Sequence, residues 1–146
     1  MRVRHYNELK LEWGIPKFID IKTFVDQQNG YLFNDKCVFG AEVFVHKIEL
    51  LSVMDQPIIY PHTWVITKFS SLHKEYYESE PFGLYKWKIL LYPKGYGAAK
   101  GSYISLFISQ DESNIHSSKK FGKIILRVQD QITGKHIEVT GENNRD

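Results

Sequence analysis

One stretch of the chain, Tyr85–Gly95, alternates between apolar and basic residues and then stops abruptly. A period of two residues is typical of a β-strand that buries one face, because successive side chains point to opposite sides of a sheet. The Pro93-Lys94-Gly95 end predicts the stop, since proline lacks a backbone donor and glycine permits a sharp reversal. The pattern predicts an aromatic-rich strand that anchors a sheet, and by itself it indicates no chemistry. Its apolar side consists of Tyr85, Trp87, Ile89 and Leu91.

The same alternation recurs elsewhere and predicts further short strands. Turn signals such as Asn29-Gly30 and Asn34-Asp35 separate them. The segment Phe18–Phe24 fits either a short strand or one helical turn, and no long amphipathic helix is convincing. About seven to eight strands predict an all-β fold, an antiparallel β-sandwich or barrel. The other predicted strands are Cys37–Val45, His62–Ile66, Ser102–Ile108 and Phe121–Gln129.

Composition places the chain among globular proteins and excludes several partners. The 146 residues suit one domain, with 42% hydrophobic and 25% charged residues. A net charge of +2 is too small to indicate nucleic acid or an anionic membrane as partner. No apolar run approaches the roughly 20 residues that span a bilayer. A single cysteine and an N-terminus without a signal-peptide core predict a cytoplasmic or nuclear protein.

No group of residues predicts catalysis, a metal site or a cofactor. Cys37, the obvious nucleophile, lies on the apolar face of an alternating strand, where a cysteine packs as a small hydrophobe. The six histidines show no zinc-ligand spacing. The glycine-rich segment Gly95–Gly101 lacks the Gly-Lys-Ser/Thr ending of a phosphate loop. The sequence therefore predicts a protein that is not an enzyme.

Two aromatic residues occupy an unexpected side of a predicted strand. Tyr103 and Phe107 alternate with the aliphatic residues of Ser102–Ile108. If the aliphatic face is core, the two rings are exposed and mark a contact site. The alternative is that both faces of this sheet are partly covered.

Several blocks of sequence resemble the MATH (meprin and TRAF-C homology) domain, and plant proteins with tandem MATH domains look most similar. The resemblance covers about nine-tenths of the chain. The blocks that resemble the second half of the domain are Glu12–Phe18, Asn29–Leu32, Asn34–Cys37 and Gly40–Val45. Those that resemble its first half are His62–Ser70, Tyr77–Glu80, Tyr85–Lys88, Tyr92–Gly95 and Ser105–Phe107.

The order of the halves departs from the family, because the second half comes first. Residues 1–47 are read as the C-terminal half, 48–61 as a linker, 62–139 as the N-terminal half and 140–146 as a polar tail. The chain is either cut from a tandem array or a circularly permuted sandwich. Burial favours the permuted sandwich, since each half alone would expose an apolar sheet face to water, at a cost of about 25 cal/mol for each Å² exposed. We therefore expect Cys37–Val45 to pair near His62–Ile66.

The resemblance also implies a function and a site. It implies a non-catalytic module that binds an extended peptide segment of a partner protein, as an adaptor in ubiquitin-dependent turnover. The alternatives are a targeting fragment of a MATH-containing ubiquitin-specific protease and a degenerate gene fragment. A homo-oligomer is left open. The family's groove maps onto Trp13, Ile15, Tyr103 and Ile124, where the two isoleucines replace aromatics. We expect neither Trp13 nor Tyr103 to lie deep in the core.

Overall fold

Two antiparallel sheets face each other in the computed structural model, which describes residues 3–6, 10–45, 57–111 and 121–142. The strands are β1 (Val3–Tyr6), β2 (Lys10–Asp20), β3 (Cys37–Val45), β4 (Ile58–Ile66), β5 (Tyr77–Glu78), β6 (Trp87–Tyr92), β7 (Tyr103–Asp111), β8 (Phe121–Val128) and β9 (Ile137–Glu142), with one short helix, α1 (Ile21–Val25). One sheet has the order β1-β2-β7-β6-β5 and the other β4-β3-β8-β9. The predicted antiparallel β-sandwich is confirmed.

The strand predicted from the alternation in Tyr85–Gly95 is β6, which lies between β7 and β5 in the five-stranded sheet. Trp87, Ile89 and Leu91 are all buried between the two sheets. Lys88 lies on the outer side and pairs with Glu78, at 3.3 Å between Nζ and Oε1. The strand begins two residues later than the pattern, because Tyr85 lies in the turn that precedes it.

Both halves of the chain contribute to both sheets. β3 lies between β4 and β8, and Cys37 is opposite Ile66 in the first of these pairs. In the other sheet β2 pairs with β7. One continuous core contains buried residues from before and after position 57. The expected pairing of Cys37–Val45 with His62–Ile66 is confirmed.

Two predicted boundaries are wrong. β4 begins at Ile58, so residues 58–61 of the predicted linker are strand, and Tyr60 packs against the core. The prolines at 57 and 61 obscured this because proline ordinarily argues against a central strand, whereas β4 lies at a sheet edge. β9 continues to Glu142, into the predicted polar tail, with alternate residues exposed. The rest of the linker, residues 48–56, and the rest of the tail, 143–146, lie outside the described residues.

The ambiguous segment Phe18–Phe24 is strand and then helix. β2 runs to Asp20, whose carboxylate accepts a hydrogen bond of 3.0 Å from the Lys22 backbone N–H and so caps α1. Phe24 is fully buried and stacks on Phe39, with 6.1 Å between ring centroids. None of the helices in the described residues is long and apolar enough to cross a membrane.

Candidate functional site

The four residues predicted to line a peptide groove do not share one exposed surface. Trp13 is 2% exposed, Ile15 8% and Ile124 0%, and all three belong to the core between the sheets. Tyr103 is half-buried at the surface. The peptide-binding role of the set stays a prediction, but only Tyr103 is placed where a ligand could touch its ring.

The expectation that Trp13 lies outside the deep core is wrong. Its indole extends from β2 across to Gly141 of β9 in the opposite sheet. A Cβ at position 141 would overlap the six-membered ring, so glycine leaves the space that the ring fills. Trp13 therefore holds the two sheets together.

The outer side of the five-stranded sheet is aromatic. Leu90, Tyr92 and Phe107 form a second apolar cluster, separate from the core, with Tyr96 packed against it. Tyr103 lies on the same side of β7 as Phe107, because the two are four positions apart along a strand with a period of two. We call this surface the aromatic outer face and define it as Tyr76, Leu90, Tyr92, Tyr96, Tyr103 and Phe107.

Four rings of this face, those of Tyr76, Tyr92, Tyr96 and Phe107, contact one another. Tyr92 and Tyr96 each meet Phe107 edge-on, with centroids 5.6 Å and 5.5 Å away. Tyr92 and Tyr96 are themselves 5.0 Å apart, and Tyr76 stacks on Tyr92 at 5.5 Å. These separations are those of favourable aromatic pairs. Phe107 and Tyr92 are consequently buried beneath, while Tyr76 is 41% exposed.

This arrangement corrects part of the sequence interpretation. Phe107 was expected to be exposed if the aliphatic face of β7 was core, yet it is 1% exposed. The alternative, in which both faces of the sheet are partly covered, describes Phe107. Tyr103 remains partly accessible, with the Lys17 ammonium 5.6 Å from its ring centroid.

Gly14 allows β2 and β7 to lie close together at Phe107. The two residues are opposite each other in β2 and β7, and a Cβ on Gly14 would overlap the phenyl ring and the Leu106 carbonyl. Because the Cβ would also overlap the backbone Cα of Phe107, a side chain at position 14 would push β7 away from β2 and displace the ring. The absence of a side chain at Gly14 thus leaves the space in which Phe107 packs on the outer side of the sheet.

A buried hydroxyl fixes the loop that carries Tyr96. Ser105 is fully buried; its Oγ donates to the Pro16 carbonyl at 2.6 Å and accepts from the Tyr96 backbone N–H at 2.9 Å. The same hydroxyl therefore connects the bulged part of β2, between Ile15 and Ile19, to the loop after β6. Tyr96 is held by a rigid strand rather than by the loop alone.

The charges around the face include two carboxylates near Tyr92. Burial, together with the negative charges of Glu12 and Glu75, raises the pKa of the Tyr92 hydroxyl to about 12. The phenol is neutral at physiological pH and can donate or accept a hydrogen bond. The face therefore offers apolar ring surface with polar hydroxyl tips.

Cys37 is placed for packing and not for reaction. The side chain is fully buried, and burial together with the charge of Asp35 raises the pKa of its thiol to about 12. A nucleophilic cysteine needs a thiolate near neutral pH, so this one is inert. Among the residues that the structure describes, no three His, Cys, Asp or Glu side chains are grouped to hold a metal ion.

Sequence reasoning missed Tyr76, Tyr92 and Tyr96 as members of a surface. One signal was present: Leu90 and Tyr92 are apolar on the side of β6 that Lys86 and Lys88 mark as polar. A strand with apolar residues on both sides predicts a second covered face. Tyr76 and Tyr96 lie outside the strands, and no periodicity places loop side chains.

Comparison with known proteins identifies the family. The sequence model described as the MATH domain matches residues 61–145. A MATH domain and coiled-coil domain-containing protein of Arabidopsis thaliana is 46% identical over 48 residues, which are 32% of this chain and 17% of that protein. The matched segment thus spans about a sixth of the relative's length. No solved structure matches the chain at a significant level. With more than half of its residues matched, in an antiparallel sandwich, the chain belongs to the MATH domain family.

Proposed function

We propose that this chain is a non-catalytic protein-interaction module that binds an extended peptide segment of a partner protein on the aromatic outer face. The observation that carries the proposal is the layered arrangement of this face. Phe107, Tyr92 and Leu90 form a buried floor, and Tyr76 and Tyr96 rise from it toward solvent. Clustered aromatic side chains on a rigid support are typical of binding surfaces, because a ligand gains area without ordering them.

The shape of the face favours an extended ligand. The rings of Tyr76, Tyr92 and Tyr96 follow one another at 5.0–5.5 Å along the sheet. An extended peptide places every second side chain on one side, about 7 Å apart, so two such apolar side chains can rest on the accessible rings of Tyr76 and Tyr96, which both pack on Tyr92. Tyrosine hydroxyls at the edge of the face can form hydrogen bonds with the peptide backbone. Tyr103, the accessible residue of the predicted groove, lies further along the same side.

In this proposal three of the predicted groove residues affect the aromatic outer face only indirectly. They are Trp13, Ile15 and Ile124. Because they are buried between the sheets, they set the positions of β2 and β8 and do not touch the peptide. Gly14, next to Trp13, then supports Phe107 directly. The predicted groove residues thus keep a supporting role, and Tyr103 keeps a contact role.

The domain organisation is part of the proposal. The matched family region, 61–145, covers the part of the chain read as the family's first half. Residues 1–47, which resemble the second half, supply β2 and β3 to the two sheets. We propose that one sandwich is formed from halves in permuted order. The aromatic outer face depends on it, since Gly14 comes from one half and Phe107 from the other.

We further propose that the chain acts as an adaptor in ubiquitin-dependent turnover, in the cytoplasm or nucleus. This proposal rests on the family resemblance. Its test is proximity labelling with the full-length protein in plant cells. Enrichment of ubiquitin ligases over a free-tag control supports the role. Equal recovery of ligases with the tag alone contradicts it and leaves the peptide-binding proposal standing.

The peptide-binding proposal is tested by selecting ligands from a random peptide display library and titrating the best ligand calorimetrically. Tyr76→Ala and Tyr96→Ala should each weaken binding by more than about 1 kcal/mol, as expected for aromatic anchors. Phe33→Ala is the matched control, because Phe33 is 43% exposed, about as much as Tyr76, but lies in a loop before β3. Equal effects of Tyr76→Ala and Phe33→Ala, or none, would refute the assignment of this face.

A further inference from the structure

The Tyr103 end of the aromatic outer face is basic. Lys17 is exposed, and its ammonium lies 5.6 Å from the Tyr103 ring centroid. Two segments form this end, residues 16–22 of β2 and α1 and residues 93–103 between β6 and β7. Their charged residues are four exposed lysines and one aspartate, which gives a net charge of +3. The lysines are Lys17, Lys22, Lys94 and Lys100.

A backbone hydrogen bond joins these two segments, so their charges act at one place. The Ile21 N–H donates to the Ser102 carbonyl at 3.0 Å. The aspartate, Asp20, is opposite Tyr103 in the pair of β2 and β7, and its carboxylate accepts the hydrogen bond that caps α1. Within the described residues, the ion pairs involve other basic side chains and none of the four lysines. This end of the face therefore keeps an excess of positive charge that attracts an anion.

The opposite side of the face is acidic. Glu12 lies on the outward side of β2, and Glu75 lies in the loop before β5. The charges of both carboxylates reach the Tyr92 hydroxyl. Lys74 belongs to the same loop, but its ammonium lies 5.8 Å from the ring centroid of Tyr77, whose position in β5 places it on the inner side of the sheet. A negative side chain is therefore repelled beside Tyr92 and attracted at the basic end.

Positions on the sheet give the spacing of the ligand's side chains. The Tyr96 backbone N–H is bonded to the Ser105 hydroxyl, and Ser105 is two positions from Tyr103 in β7. Two positions along a strand span about 7 Å, which is also the distance between side chains on one side of an extended peptide. If two apolar side chains rest on Tyr76 and Tyr96, the next side chain on that side of the peptide lies beside Tyr103 and Lys17.

We propose that the peptide ligand of the aromatic outer face carries an acidic side chain, aspartate or glutamate, two positions beyond an apolar pair, and that this carboxylate binds beside Lys17 and Tyr103. The pattern is apolar-x-apolar-x-acidic, where x is any residue. This ligand class rests on the proposed peptide-binding function and adds to it the chemistry of the ligand and the order of its side chains across the face. The Lys17 ammonium pairs with the carboxylate, and the basic end as a whole steers the peptide into this order.

Fluorescence anisotropy with labelled synthetic peptides measures the preference for an acidic side chain. The probes contain Leu-Ser-Leu-Ser-Glu or the same sequence with Gln or Lys in place of Glu, and each is also made in the reverse order, because the side-chain order does not fix the direction of the backbone. In one of the two orders, the Glu peptide should bind about three- to fivefold more tightly than the Gln peptide, as expected for one surface ion pair, and the Lys peptide should bind most weakly. Raising NaCl from about 50 mM to about 500 mM should reduce this preference, because salt screens exposed charges. Equal affinities of the Glu and Gln peptides in both orders, or tighter binding of the Lys peptide, overturn the proposal.

Charge reversal at position 17 tests where the carboxylate binds. Lys17→Glu should abolish or reverse the preference for the Glu peptide over the Gln peptide. The matched control is Lys86→Glu, since Lys86 is also exposed but precedes β6 at the strand's far end, about 20 Å from Tyr92. This control should keep the preference, and far-UV circular dichroism confirms that both variants fold. A Lys17→Glu variant that is folded and keeps the parent's preference contradicts the assignment of Lys17.

Selection from a random peptide display library distinguishes failure of this ligand class from failure of peptide binding itself, because the library assumes no charge. If the library yields ligands while none of the synthetic peptides binds, or while the Glu and Gln peptides bind equally, the acidic requirement is wrong and peptide binding stands. If the library yields no ligand, the peptide-binding function and the ligand class are overturned together.

Discussion

Replacing Trp13 with alanine measures how strongly the two sheets are joined. The ring is 2% exposed and reaches from β2 to Gly141 of β9. Truncation of a buried Trp to Ala costs about 3–5 kcal/mol, from lost transfer energy and the cavity that remains. Natural domains are stable by only about 5–15 kcal/mol, so the variant should be near its folding limit. Urea unfolding followed by far-UV circular dichroism gives the free energy of unfolding.

Gly141→Ala turns this into a double-mutant cycle. In the parent, the added Cβ overlaps the indole and should cost about 1–3 kcal/mol through forced displacement of the ring. In a Trp13→Phe background, where the smaller ring leaves space, the same change should be close to neutral, because alanine loses less backbone entropy than glycine. We expect a coupling energy of at least about 1 kcal/mol between the two sites.

Two results would contradict the packing of Trp13 against β9. If Gly141→Ala costs the same in both backgrounds, the ring does not pack on β9 as described. If Trp13→Ala changes the unfolding free energy by less than about 1 kcal/mol, Trp13 is a surface residue. Retention of the parent's m-value confirms that the same surface is exposed on unfolding in each variant.

Two further predictions concern buried groups. Cys37 should resist thiol reagents at pH 8 in the native state and react at once in urea, and rapid native labelling would contradict its burial. The free energy of unfolding should fall between pH 9 and pH 12, because the unfolded thiol loses its proton near 9 while the folded one keeps it to about 12, and Cys37→Ala should fall less steeply. Ser105→Ala should cost about 1–3 kcal/mol, since it leaves the Pro16 carbonyl and the Tyr96 N–H without their buried partner, and it should weaken peptide binding by moving Tyr96. Unchanged stability and affinity of Ser105→Ala would show that the hydroxyl positions nothing.

The sequence predicted β3 and β6 because their inward residues alternate along the strand, as Trp87, Ile89 and Leu91 do in β6, although residues on the outer sides of both strands are buried as well. It predicted β4 poorly, since the prolines at 57 and 61 interrupt the pattern of a strand that is tolerated only at a sheet edge. The burial of Trp13 depends on Gly141, a residue on a strand distant in sequence. No local pattern contains such a pairing, so a resemblance to groove residues placed the ring at the surface.

The members of the aromatic outer face likewise could not be predicted from local sequence patterns. Phe107 was recognised as an aromatic on the unexpected side of its strand, but Tyr92 and Tyr96, which cover it, come from another strand and a loop. Which rings meet is decided by the order of strands in the sheet, and adjacency of β6 and β7 is a tertiary fact. Sequence could therefore indicate an aromatic surface without specifying its members.

Backbone amide chemical-shift titration with a selected peptide tests whether the aromatic outer face binds it. We expect the largest changes at Tyr76, Tyr96 and the outward residues of β6 and β7, with little change in β3 and β8. Changes confined to the four-stranded sheet would contradict this assignment.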